Sequence, residues 1–144
     1  MSLRTLIPVL AMLSSVFILS CKKSNKTDPN PGNTQEEALA FTLTGVEEGA
    51  FNQALDSTFI FQVKVMSKMP AAGVATKINV VSDPAGVGLD QDSVAGSKSS
   101  IYDVTLKHLK ELKTYKVTVT VSSLGNTANV APQKIFYITN KKPL

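Results

Sequence analysis

Residues 38–144 read as an all-β domain: seven short strands packed as two antiparallel sheets. Three observations predict it. Apolar residues recur at every second position rather than at helical spacing, β-branched residues crowd those runs, and Gly, Pro and Asn turn signals interrupt them at intervals of roughly ten residues. Each such strand has one apolar face to bury, and two sheets packed face to face bury it.

The first run, Leu39–Thr44, places Leu39, Phe41 and Leu43 on one face, and Gly45 ends it. A linking stretch to Asp56 follows, with Glu47-Glu48-Gly49 as a turn and Phe51 and Leu55 positioned to fold back onto the core. Thr58–Met66 alternates clearly, with Phe59, Phe61, Val63 and Val65 one way and Gln62 and Lys64 the other, so it is expected at the centre of the core. Lys68–Gly73 turns the chain, and Val74–Val81 makes a third strand with Ile78 and Val80 inward. Pro84 stops that strand by removing a ladder donor. Gly86 and Gly88 permit a bend, and a short edge strand is expected at Val87–Leu89. Beyond the small-residue loop Ser93–Ser99, the run Ser100–Leu106 puts Tyr102, Val104 and Leu106 on one face. The cleanest strand, Tyr115–Val121, has Tyr115, Val117, Val119 and Val121 inward and Lys116, Thr118 and Thr120 outward. A hairpin loop around Leu124-Gly125-Asn126-Thr127 leads to the last strand, Lys134–Thr139.

The segment Leu109-Lys110-Glu111-Leu112-Lys113-Thr114-Tyr115 resembles the corner before strand F of fibronectin type III and related immunoglobulin-like domains, where a leucine precedes a tyrosine by six residues. The resemblance implies a seven-stranded immunoglobulin-like sandwich in which Leu109 and Tyr115 form a structural corner, the tyrosine ring in the core and its hydroxyl bonded to upstream backbone. Two positions depart from the pattern. Glu111 stands where a proline usually follows the leucine, and Phe59 or Phe61 occupies the region of the usual core tryptophan.

Residues 1–20 carry one charge, Arg4, followed by an apolar stretch Leu6–Leu19 broken only by Pro8, Ser14 and Ser15. A charged start and a short apolar run describe an export signal. The run falls short of the roughly 20 residues of a spanning helix, and Lys22 and Lys23 follow Cys21 at once. Ile18-Leu19-Ser20-Cys21 resembles the lipobox of bacterial lipoproteins. That resemblance implies diacylation of the Cys21 thiol, cleavage before it and acylation of the new amino group, with the membrane as partner through the lipid. Several acyl chains matter because one alone binds only marginally, on the order of 10⁴ M⁻¹. By the same resemblance, Lys22 in place of an aspartate favours the outer membrane, and the lack of an acidic cluster after Cys21 favours its periplasmic face over the cell surface.

Residues 21–37 form the lipidated cysteine and a linker without a strongly apolar side chain, a composition expected to be disordered. With Cys21 acylated, no thiol remains for a disulfide, so the domain must stand on its apolar core. The mature chain carries 14 lysines against 11 acidic residues, +3, and no arginine, since Arg4 leaves with the signal. Planar guanidinium groups are the preferred readers of phosphates and guanine edges, so nucleic acid is not expected as a partner.

The residues offer little chemistry. His108 is the single histidine, among lysines in a turn, with no visible nucleophile beside it. Asp90 and Asp92, with Asp83 nearby, are the densest oxygen cluster, but a calcium loop begun at Asp90 would need glycine and glutamate where Ala95 and Ile101 stand. These are turn aspartates; no metal and no cofactor is expected. Asp56-Ser57-Thr58 and Asp92-Ser93-Val94 resemble the short acceptor for O-glycosylation of some Gram-negative envelopes, which makes Ser57 and Ser93 candidate modification sites. Phe51, Tyr137 and Phe136 are the aromatics left over as sugar platforms. The expectation is an envelope lipoprotein, not an enzyme, that binds or supports another envelope protein. The alternative is a glycan-binding accessory of a polysaccharide uptake system.

Overall fold

The computed structural model describes residues 36–141. Within them lie seven strands and no helix: β1 Phe41–Thr44, β2 Phe51–Ala54, β3 Phe59–Val65, β4 Val74–Ser82, β5 Ile101–Leu106, β6 Thr114–Ser123 and β7 Lys134–Asn140. They form a three-stranded sheet in the order β1-β3-β5 and a four-stranded sheet in the order β2-β7-β6-β4. The all-β, two-sheet architecture is as the alternation requires.

β6 shows how pattern becomes core. Tyr115, Val117, Val119 and Val121 are buried while Lys116, Thr118 and Thr120 are half-exposed. The Phe61 and Phe136 rings, one from each sheet and both buried, meet edge to face with centroids 5.2 Å apart, an arrangement favoured by the ring quadrupoles. A polar tie also crosses the interior: Thr76 Oγ1 on β4 and the Tyr102 hydroxyl on β5 are 2.7 Å apart. Burial pushes the Tyr102 hydroxyl above its ordinary pKa, and the Thr76 bond pulls the other way.

Three expectations need correction. Phe51–Ala54, read as a link, is a strand, and it pairs parallel with β7 (Phe51↔Tyr137 to Ala54↔Asn140), so the sheets are not wholly antiparallel. Gly45, at φ +84, and Gly49, at φ +73, turn the chain from one sheet to the other between β1 and β2. Val87–Leu89 is not a strand: a single bridge, Val81↔Gly88, with the Leu89 N–H donating to the Val80 carbonyl at 2.8 Å, lays it along the free edge of β4. Glu36 and Glu37, assigned to the linker, are bound to the domain. The Glu36 carboxylate accepts from Ser123 Oγ at 2.9 Å and Asn129 Nδ2 at 3.1 Å, and Glu37 Oε2 accepts from the Lys68 N–H at 3.1 Å. Their partners lie far along the chain, where no local reading could see them.

Cys21 and the rest of the linker lie outside the described residues.

Candidate functional site

The pairing of β4 with β6 gives the sandwich two ends. Val74↔Ser123 lies at the end where Glu36 enters, and Ser82↔Tyr115 lies at the other. Eight strand steps separate them, about 26 Å. A groove of about 370 Å³ opens at the far end.

One wall of the groove is the bend after β4. The Ser82 N–H donates to the Val87 carbonyl at 2.8 Å, the Gly86 N–H to the Ser82 carbonyl at 2.7 Å, and the Val87 N–H to Ser82 Oγ at 3.0 Å. These bonds fix Asp83, Pro84, Val87 and Leu89 along the groove, so little ordering entropy is left for a ligand to supply.

The other wall is the segment between β5 and β6, where Leu109 and Tyr115 stand. Both are buried, and the Lys110 N–H donates to the Tyr115 hydroxyl at 3.0 Å across the turn. Behind them, Asn140 Nδ2 donates to the Leu109 carbonyl at 2.9 Å, while Asn140 Oδ1 is buried and finds no partner among the described residues. The Leu112 N–H donates to the Asn140 carbonyl at 2.8 Å. This web holds Leu112 at φ 58, a region that costs an L-residue roughly 1–2 kcal/mol. Its side chain is 83% exposed. Val87 and Leu55 are exposed at the same end, and Lys110 and Lys113 line the groove. The end is therefore apolar at its points, with Asp83, Lys110 and Lys113 along the groove between them. The described residues hold no cluster of three metal-ligating groups.

The remaining singled-out residues scatter. His108, at φ 63, lies in the same corner segment but not in the groove wall. Asp92 pairs with Lys107 Nζ at 2.6 Å, and this bond, with the ammonium charge, holds its carboxyl below the usual aspartate range. Asp56 is held low in the same sense by the Thr58 hydroxyl, then by the Thr58 N–H, in a tight turn that leaves Ser57 exposed at its tip. Ser93 is also exposed. Of the three leftover aromatics, Phe136 is core. Phe51 and Tyr137 come together on the outer face of the larger sheet, ring centroids 5.1 Å apart and tilted by 32°.

Leu112 and Asn140 escaped the sequence reading. Leu112 had a signal, an apolar residue out of phase in a polar turn. Asn140 had none, since its role depends on a carbonyl 31 positions away. No protein-family model, curated protein or solved structure matches the chain.

Proposed function

We propose that the chain is an envelope lipoprotein, acylated on Cys21 and held at the periplasmic face of the outer membrane, whose immunoglobulin-like sandwich is a non-enzymatic docking module for another envelope protein. One observation carries it: Leu112, held outward in a costly backbone conformation beside a preformed groove, at the end opposite the chain's entry. Folding stability alone gives no reason to expose a leucine there. A tether entering at one end leaves the other free to meet a partner beyond the bilayer surface. Ser57 and Ser93 are exposed and open to O-glycosylation, which intact mass of the protein from its own host would reveal.

Two measurements test the reading. Radiolabelled palmitate should enter the wild-type protein and not Cys21→Ser; equal labelling removes the anchor. A photo-crosslinking residue at position 112 should trap one reproducible membrane protein, and Val87→Asp should abolish that adduct. An adduct that survives Val87→Asp, or none above background, removes the docking end.

A second reading, the glycan-binding accessory, draws support from the surface pairing of Phe51 with Tyr137.

A further inference from the structure

The geometry points to the outer face of the four-stranded sheet as a binding site for acidic polysaccharide, a glycan bearing uronate carboxylates. The inference rests on the second reading above and names its ligand class and its residues.

The site is a row set by register. Phe51 on β2 pairs with Tyr137 on β7, and Tyr137 pairs with Lys116 on β6. Their chain neighbours Val117, Phe136 and Ile138 are buried, so alternation turns Tyr137 and Lys116 outward. Phe51 is 65% exposed on an edge strand. Beside it Phe51, Gln53, Thr139 and Lys141 line a pocket of about 190 Å³. That is below the roughly 300 Å³ at which pockets enclose whole drug-sized ligands. It accommodates one ring, with further units running over the open sheet.

Charge selects the kind of ring. None of the four strands of this sheet contains Asp or Glu. Lys77 and Lys116 stand on its outer face, Lys141 stands at the pocket, and none of the three is in an ion pair among the described residues. The polar positions around them are mostly threonine: Thr114, Thr118, Thr120 and Thr139. Ring faces that take sugar C–H groups, hydroxyls that exchange hydrogen bonds with sugar hydroxyls, and unpaired ammonium groups for carboxylates make one matched set. Size argues against a protein as occupant. A stable interface covers roughly 800 Å² on each partner around an apolar centre, whereas two aromatic side chains offer at most about 500 Å² in total, much of it already spent against the sheet.

Titration calorimetry of the full chain in detergent micelles, with oligogalacturonate, oligomannuronate and neutral dextran oligomers, tests the inference. The uronates should bind and dextran should not. Phe51→Ala should weaken uronate binding about tenfold. Lys116→Gln should weaken it several-fold and flatten its salt dependence, while Lys64→Gln on the other sheet should leave it unchanged. Uronate binding that Phe51→Ala leaves intact overturns this site, and dextran bound as tightly overturns the acidic class; the glycan reading survives both. Absence of binding to every glycan overturns site and reading together. Tighter binding of a single-stranded oligonucleotide, or self-association abolished by Phe51→Ala without uronate binding, overturns the glycan assignment in favour of those occupants.

Discussion

Where the chain enters, the sandwich is closed by polar side chains. The Glu36 carboxylate takes bonds from Ser123 and Asn129, the Leu39 N–H donates to Asn129 Oδ1 at 2.9 Å, and the Ala40 N–H donates to Ser67 Oγ at 3.2 Å. At the far end, the closure is made by buried groups: the Leu109 side chain, the Tyr115 ring with its hydroxyl on Lys110, and Asn140 behind both. In the first closure Ser123 is buried but Glu36 and Asn129 are only half-buried, so a group that loses its partner there can turn to water and the net worth of each bond is small. The second encloses its polar atoms, so losing a partner there exposes the full cost of desolvation. The far end is thereby rigid enough to hold Leu112 outward in a disfavoured conformation; Met66, Leu124 and Val130 are exposed towards the entry end, but none of them has a positive φ.

Substitutions can break that contrast, and the largest effect should come from Leu109→Ala. Its side chain is 2% exposed, and truncation should cost about 3 kcal/mol in denaturant unfolding. Tyr115→Phe keeps the ring but strands the Lys110 N–H; a loss of about 1.5 kcal/mol is expected in the same measurement. Glu36→Ala, at the opposite end, should cost only about 1 kcal/mol. A Glu36 effect equal to that of Leu109 would end the distinction between the two closures. Leu112→Gly should go the other way, raising stability by about 0.5–1 kcal/mol because glycine accepts φ 58 without strain. The same variant should lose the proposed partner's binding, and retained binding would mean the displayed leucine is not a contact.

The smallest expected effect is in acid. Asp56 titrates below the 3.8 of an ordinary aspartate in the folded chain, so its contribution is present above that value and is lost as pH falls through the lowered one. Carboxyl NMR should show Asp56 titrating late in wild type, and Thr58→Ala should bring its pKa back towards the ordinary value.

Legibility followed burial. The alternation in Phe59–Val65 and in Thr114–Ser123 named the inward residues correctly because a strand between two neighbours must put one whole face in the core. β2 was missed because an edge strand of four residues buries only Ala54, leaving no apolar period to read. Val87–Leu89 was overread because its apolar residues lie along an edge without completing a ladder. At the candidate site, Leu109 and Tyr115 were singled out through a resemblance, but nothing pointed to the groove. Its walls, Asp83–Leu89 and Lys110–Tyr115, are separated in the chain by β5.

What the sequence determined by itself was the all-β class and the inward face of the long strands, since period and turn chemistry are local properties. The tertiary structure alone decided that β2 lies parallel to β7, that Glu36 closes one end, that Leu112 projects from the other, and that Phe51, Tyr137 and Lys116 form a row. Each of these depends on a partner far along the chain, and which distant segments meet is settled only when the two sheets pack.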